Sequence, residues 1–486
     1  MNIKLAGRLI GALLALEALF MLPSLGLALA DRERPVIISF LVTMGLLLSL
    51  GVLLRVICRN NAPEPSYTRE GMVTVALSWI VMSVLGCLPF RLSGAIPRFI
   101  DALFEMVSGF TTTGASILTD VEGLGRALLY WRSFSHWLGG MGMLVFILAV
   151  IPGSQQAGFN LNLMRAESPG PSVSKLTPRM GQTAKVLYLL YFLLTVLCVL
   201  FLLAGGMPLF DSLCTAFGTA GTGGFGIKND SLASCSPYIQ NVVTIFMALF
   251  GINFSVFYLL LLRKFSEVLA DEELRLYIGV FGGATVLITV NILPLYGGRI
   301  LESLRHAAFQ VSSIMTTTGF CTADFDLWPS FSKSILLVLM ILGACAGSTG
   351  GGLKMARLLL LIKELLRNIR RTLRPRSVQV VRVNSHATDE NVIKNTNAYL
   401  AAYCVIIMVS FVLISLDGYP IETNFSAVLA CFNNIGPGFG AVGPTANYSG
   451  FSDFSKAILT ADMLLGRLEI FPILTLFSRY TWSRKR

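Results

Sequence analysis

The sequence predicts an all-α polytopic membrane protein in which two N-terminal helices precede four copies of one helical unit. Three observations carry this prediction. Of 486 residues, 54% are hydrophobic and 13% are charged, whereas soluble domains carry about 25% charged residues. Uncharged apolar stretches such as residues 36–54 and 186–207 are long enough to cross a bilayer. The third observation is an internal repeat.

The repeat consists of a glycine turn behind an apolar stretch that contains phenylalanine. The four turns are Thr111-Thr-Thr-Gly-Ala115, Thr222-Gly-Gly-Phe225, Thr316-Thr-Thr-Gly-Phe320 and Asn434-Ile-Gly-Pro-Gly438. Their aligned glycines are Gly114, Gly224, Gly319 and Gly436. Each is followed by a glycine inside another apolar run, and these second glycines are Gly139, Gly251, Gly347 and Gly466. One chain therefore carries four successive versions of the same local pattern.

Each version predicts a first helix, a short helix, the turn and a second helix. We expect the N-terminal pair of helices in residues 1–60, and the repeats in residues 61–155, 156–268, 269–385 and 386–486. The short helices have too few residues to cross a bilayer, so they must enter and return. Such backbone is tolerated only where protein buries it or where it lines water. The expected architecture is about ten transmembrane helices and four re-entrant helices around one pore.

The net charge of +11 does not indicate nucleic-acid binding, because the basic residues are divided among alternate loops. The positive-inside rule assigns those loops, and both chain termini, to the cytoplasm. The apolar run at residues 9–30 follows Lys4 and Arg8 like a signal peptide. It is longer than a signal-peptide core, and we therefore interpret it as a retained transmembrane helix.

Four such turns around one axis predict a ring of backbone carbonyls, the arrangement that replaces water around a potassium ion. Glycine permits the backbone angles that aim carbonyls inward. The negative C-terminal end of each short helix points at the same place. The expected coordinating carbonyls belong to Thr112, Thr113, Thr222, Gly223, Thr317, Thr318, Asn434 and Ile435, with the four aligned glycines setting their direction.

A second glycine-rich segment interrupts an apolar helix expected at residues 334–371. It contains Gly347, Ser348, Thr349, Gly350, Gly351, Gly352 and Lys354. Consecutive glycines are poor helix formers, and the segment is either a passive kink or a mobile gating loop beneath the ring. Lys354 belongs to this loop or marks the cytoplasmic interface.

Arg467 and Glu469 are charges within the last long helix, where charge is costly and usually faces the interior or water. Residues two apart on a helix do not face each other, so mutual pairing is not expected. Arg467 either forms a structural ion pair with another helix or faces the pore as a barrier that slows ions.

The chemistry of an enzyme is not indicated. The histidines His136, His306 and His386 are scattered, and no catalytic triad or pair of carboxylates stands out. Residues 221–226 match the dinucleotide fingerprint, but membrane runs flank them instead of a strand and a helix of a βαβ unit. No cofactor is expected, and potassium is the transported ion.

Several segments together resemble the Trk/Ktr family of potassium-uptake proteins, in its TrkH/TrkG branch. They are the first turn, Gly139-Gly-Met-Gly142, Arg165-Ala-Glu-Ser-Pro-Gly-Pro171, the segment from Gly343 to Lys354, Asn433-Asn-Ile-Gly-Pro-Gly438 and Gly466-Arg-Leu-Glu469. The resemblance covers essentially the whole chain. It implies a homodimer with one pore per subunit and a TrkA-type cytoplasmic nucleotide-binding regulator. It also implies that residues 347–352 form the gating loop, with Arg467 beneath the ring.

The sequence therefore predicts potassium uptake across the bacterial inner membrane, driven by the membrane potential and controlled by a regulatory partner. A secondary transporter of another cation or small solute is the alternative. The basic block from Lys354 to Arg382 predicts contact with anionic membrane lipid, docking of the regulator, or both.

Overall fold

The structure, a computed structural model, describes residues 3–58, 68–142, 180–377 and 379–482. Regular structure in these ranges is almost entirely helical, which confirms the predicted fold class. The two strands Arg382–Val383 and His386–Ala387 form one small antiparallel hairpin. Two sequence predictions, the motif at residues 165–171 and the helix end at residues 143–151, lie outside the described residues.

The N-terminal region is formed by the helices Ile3–Phe20, Leu22–Asp31 and Arg34–Ile57. The first predicted helix is thus divided at Met21. The cause is Pro23, in the first turn of the second piece, since proline has no N–H for a bond to the preceding turn.

Each repeat has the predicted order of first helix, short helix and second helix. The first helices are Thr68–Gly86, Met180–Ala204, Glu272–Ile292 and Glu390–Ile414. The short helices are Phe99–Phe110, Leu209–Ala220, Ile300–Met315 and Ile421–Phe432. The second helices are Arg126–Gly140, Pro237–Phe250 with Phe254–Leu261, Ser330–Leu342 with Met355–Leu373, and Asp453–Arg467 with Phe471–Phe477.

Short helical segments connect these units. The α-helical ones are Leu88–Leu92, Phe265–Ala270 and Arg479–Trp482. The 3-10 segments are Leu293–Tyr296, Phe325–Leu327, Ser415–Asp417, Gly440–Val442 and Tyr448–Gly450.

The first helices are continuous, whereas three described second helices are broken near their middle. The break after Phe250 bends the chain by 92°, and Asn253 caps the new helix by accepting a hydrogen bond from the Ser255 N–H. In the fourth repeat, Glu469 and Ile470 have left-handed backbone at φ of 55° and 67°. The breaks bring non-helical backbone to membrane depth, where it requires protein contacts.

Six described helices are long and apolar enough to span a membrane, and a seventh results if the bent pair counts as one span. The expected number of about ten remains a prediction, because broken helices are too short to be recognised by length. The first helices expose large apolar side chains to the surroundings, including Leu189, Val290 and Val405. The short helices are largely buried. This burial is what makes their re-entrant path tolerable.

Candidate functional site

The four glycine turns share one backbone conformation. The residue two positions before each aligned glycine is left-handed, with φ of 56° at Thr112, 52° at Thr222, 57° at Thr317 and 56° at Asn434. The aligned glycines also have positive φ, from 73° at Gly224 to 96° at Gly436. Left-handed threonine is uncommon because its side chain is β-branched. Its recurrence indicates a conformation that the surroundings enforce.

The turns meet in a closed ring. A Cβ atom added to Gly114 would overlap the Gly223 carbonyl oxygen, one added to Gly224 would overlap that of Thr318, and one added to Gly319 would overlap that of Ile435. The fourth turn closes on the first, since a Cβ on Gly436 would lie 2.7 Å from the Thr113 carbonyl oxygen. Each aligned glycine therefore contacts the next turn in chain order. The four contacted oxygens belong to Thr113, Gly223, Thr318 and Ile435, and we call this set the carbonyl ring.

The other predicted turn residues lie one position earlier in the same turns. All four of their side chains form hydrogen bonds, and two of them act as donors. The Asn434 amide donates to Thr113 Oγ1 at 2.9 Å and to the Met463 carbonyl at 2.9 Å. Thr222 Oγ1 donates to the Gly221 carbonyl at 2.7 Å. These bonds fix the turns against one another and against the second helices.

A cavity of about 190 Å³ lies against one side of the ring. All four aligned glycines line it, together with residues of the loops that follow the turns. One of these, Tyr448, donates its hydroxyl to the Gly436 carbonyl at 2.7 Å and is buried. This side, which we call the open side, gives water access to the ring.

The glycine-rich segment occupies the opposite side, directly against turns 3 and 4. The Gly351 N–H donates to Thr317 Oγ1 at 2.6 Å. A Cβ on Gly350 would lie 2.8 Å from the Thr316 carbonyl oxygen, and one on Gly351 would overlap the Asn433 carbonyl oxygen. Only glycine permits such close packing here. We call residues 343–354 the glycine loop and this side of the ring the closed side.

Arg467 links the glycine loop to the first repeat. Its guanidinium donates to the Thr349 carbonyl at 2.9 Å, to Thr112 Oγ1 at 3.3 Å and to the Gly140 carbonyl at 2.8 Å. It also donates to the Gly139 carbonyl. The side chain is buried and thus places a positive charge beneath the ring.

Lys354 is buried as well, and its ammonium donates to the Gly350 carbonyl. The Lys354 side chain therefore packs within the glycine loop.

The ion-pair partner of Glu469 is not Arg467, two positions earlier in the chain. It forms an ion pair with Arg357 of the helix that follows the glycine loop. Arg357 also lies over the Tyr399 ring, with 3.8 Å from its Cζ to the ring centroid. The sequence excluded the local pair correctly but gave no indication of its distant partner.

Two further charged residues support the ring and were missed by the sequence reasoning. Arg132 Nε lies 2.6 Å from Glu105 Oε1, and both side chains are almost completely buried. Glu105 also accepts hydrogen bonds from Ser116 Oγ at 2.9 Å and the Ile117 N–H at 3.0 Å. Arg132 donates to the Gly226 carbonyl at 2.9 Å. The pair therefore connects turn 1 to turn 2, and the available signal was a charge within each of two apolar segments.

Comparisons with known proteins agree with this architecture. The family model described as TrkH, cation transport protein, matches residues 38–484. The chain is 34% identical over 490 residues to the Trk system potassium uptake protein TrkH of Halomonas elongata, with 100% of both chains covered. It is 38% identical over 423 residues to TrkH of Salmonella typhimurium, covering 85% of this chain and 86% of the relative.

The crystal structure of the potassium transporter TrkH from Vibrio parahaemolyticus matches with a TM-score of 0.87 and 31% sequence identity, covering 99% of this chain and 100% of that one. The resemblance predicted from the sequence motifs is confirmed. Since the matched proteins are named as transport proteins, the expectation that the chain is not an enzyme is also confirmed. The chain is a multi-pass membrane protein that belongs to the TrkH family of cation transport proteins.

Proposed function

We propose that this chain takes up potassium across the bacterial inner membrane through the carbonyl ring, driven by the membrane potential. The observation that carries the proposal is the cyclic contact of four turns, each glycine lying against a carbonyl of the next. The names of the matched relatives, potassium uptake proteins of a Trk system, support the choice of ion.

The ring supplies the chemistry that a dehydrated alkali cation needs. Carbonyl oxygens replace hydration water, and every short helix ends at its turn, so its negative dipole end faces the ion. Potassium releases its water more readily than sodium, which favours potassium at a ring of fixed size. The membrane potential adds about 2.3 kcal/mol per charge for each 100 mV.

The glycine loop and Arg467 form the gate in this proposal. Arg467 puts a positive charge on the closed side, where it opposes a cation leaving the ring, and the buried Lys354 side chain lies on the same side. Their partners in the loop are carbonyl oxygens of Thr349 and Gly350. Displacement of the loop would therefore move both basic side chains and open the path.

A TrkA-type nucleotide-binding regulator would control the loop through the basic helix that follows it, Met355–Leu373. This helix also suits contact with anionic lipid. We further propose a homodimer with one pore per subunit, and both termini in the cytoplasm. A secondary transporter of another cation or small solute would need inverted repeats. Each repeat here has a first helix, a re-entrant helix and a second helix; two crossings return the chain to its starting side, so successive repeats have the same orientation.

Growth of an uptake-deficient bacterium at low potassium tests the proposal, in a strain that supplies the regulatory partner. We expect the unmodified chain and Gly418→Ser to restore growth and rubidium uptake, and Gly436→Ser to fail. Both glycines have positive φ, but Gly418 faces open space while Gly436 contacts the ring. Equal rescue by the two variants, or no rescue by unmodified protein present in the membrane, would contradict the proposal.

A further inference from the structure

The carbonyl ring is not symmetric, because one turn lacks a side chain at a ring position. The contacted residues Thr113, Thr318 and Ile435 carry side chains, whereas turn 2 has Gly223. A Cβ atom built on Gly223 would overlap the imidazole of His136, including Nδ1. The histidine ring thus occupies the space into which a side chain at residue 223 would extend.

His136 comes from the second helix of repeat 1 and not from turn 2 itself. Its side chain is completely buried, and neither ring nitrogen has a hydrogen-bond partner among the residues that the structure describes. A buried polar group without a partner is costly and indicates a specific role. Counting back three residues from the second glycine of the other repeats gives Ala248, Ala344 and Met463, none of which has an aromatic ring.

The same helix face contacts the remainder of turn 2. His136 packs edge-on against Phe225 with 4.2 Å between ring centroids. Arg132, four residues earlier and therefore on the same face, lies 3.5 Å from the centroid of that phenyl ring. At the start of the turn, a Cβ on Gly221 would overlap the His136 carbonyl oxygen. One rigid helix therefore contacts turn 2 along its whole length.

Turn 2 needs such external support more than the other turns do. Four of its six residues from Gly221 to Gly226 are glycine, and glycine has the largest conformational freedom of any residue. A carbonyl that can move toward the axis would also surround the smaller sodium ion. Rigidity at residue 223 therefore bears directly on ion discrimination.

We propose that His136 is a positioning residue that holds the Gly223 carbonyl at its place in the ring and thereby sets the preference for potassium over sodium. The proposal rests on the proposed function of the ring. In this proposal the imidazole fills the space next to the backbone of residue 223. The side chains of Thr113, Thr318 and Ile435 fill the corresponding space in their own turns.

A pair of complementary substitutions tests this role in purified protein reconstituted into liposomes, with rubidium and sodium fluxes as the readout. His136→Ala leaves space behind turn 2, and we expect the rubidium-to-sodium flux ratio to fall about ten-fold. Gly223→Ala places a methyl group in the space of the imidazole and should also lower the ratio. In the double variant the new methyl enters the vacated space, and the ratio should recover above that of either single variant.

His306→Ala is the matched control, because His306 is also a buried histidine but contacts Thr322 and Tyr296 instead of a turn glycine. It should leave the flux ratio unchanged. Melting temperatures in detergent show whether each variant is folded. If His136→Ala does not fold, the flux ratio of Gly223→Ala tests the proposal by itself.

An unchanged ratio in folded His136→Ala or Gly223→Ala, or a double variant no better than the worse single one, would overturn the role of His136. The proposed function itself would be refuted by another result, namely an unmodified protein that passes rubidium and sodium equally well.

Discussion

The two sides of the carbonyl ring are lined by different kinds of residues. The open side is a cavity of about 190 Å³ lined by the turn glycines and the loops that follow them. The closed side holds the glycine loop and the buried basic side chains of Arg467 and Lys354. In the proposed function, backbone carbonyls surround the ion, whereas the side chains and glycines of the closed side block its exit. Changes in the ring should therefore alter which ion passes, and changes on the closed side should alter how fast ions pass.

The largest effect is expected from Gly319→Ser in the ring. Its φ is 86°, and a Cβ there would overlap the Ile435 carbonyl oxygen and lie 2.9 Å from Pro437 Cδ. Since the backbone cannot yield without moving turn 4, we expect the potassium-over-sodium flux ratio to fall by more than about ten-fold. Gly94→Ser is the matched control, because Gly94 has φ of 80° but open space around it. Parallel losses in both variants would indicate general strain and not a ring effect.

On the closed side, Arg467→Ala should raise potassium flux in the absence of the regulator. The substitution removes a buried positive charge and its bonds to Thr349 and Gly140. Charges a few ångströms apart interact by several kcal/mol at an effective dielectric constant of about 20. Since about 1.4 kcal/mol corresponds to a factor of ten, an increase of at least about ten-fold is expected. Passive flux in liposomes measures it.

The ion selectivity of Arg467→Ala shows whether Arg467 acts as a barrier on the closed side or as a support of the carbonyl ring. The potassium-over-sodium flux ratio of Arg467→Ala should equal that of the unmodified protein. In the surface variant Arg299→Gln, both the potassium flux and the flux ratio should be unchanged. A lower ratio with unchanged flux would mean that Arg467 supports the ring and does not act as a barrier.

A smaller increase is expected from Gly350→Ala within the glycine loop. The added methyl would lie 2.8 Å from both the Ala344 Cβ and the Thr316 carbonyl oxygen. Overpacking of this kind costs about 1–3 kcal/mol, which disfavours the closed packing of the loop. Gly283→Ala, where nothing lies within 4 Å, is the control. If the loop is only a passive kink, flux through the two variants will be the same.

The smallest effect concerns the rim of the open side, where the Asn229 amide donates to Asp120 Oδ1 at 3.0 Å. This bond, with further bonds from the Gly123 and Glu122 N–H groups, lowers the pKa of Asp120 below its usual value. The stabilisation is therefore present above the unfolded pKa of about 3.9 and is lost as pH falls through the lower folded pKa. Asp120→Asn should melt slightly below unmodified protein at pH 7 and at the same temperature under strongly acidic conditions. A difference that grows on acidification would contradict this assignment.

The sequence predicted the parts of the molecule that depend on glycine position. The four turns, the order within each repeat and an interruption at residues 347–352 follow from local pattern, because glycine marks where the chain must turn or break. In the structure the interruption is longer, from Gly343 to Lys354. The 92° bend after Phe250 was not foreseen, since no proline or run of glycines accompanies it.

Contacts between segments that are distant in the chain could not be predicted from the local sequence pattern. Glu105 and Arg132 meet because a short helix packs against a second helix, and Arg357 finds Glu469 across 112 residues. Helix packing register decides both pairs, and no spacing in the chain encodes it. For the same reason His136 looked like an isolated histidine until its position behind Gly223 was visible.

Direct observation of the cation is the most decisive measurement, in a crystal of the protein grown with rubidium and recorded at the rubidium absorption edge. We expect an anomalous peak on the axis, surrounded by the carbonyl oxygens of Thr113, Gly223, Thr318 and Ile435. Peaks confined to carboxylate groups, with none at the ring of a transport-competent preparation, would contradict it.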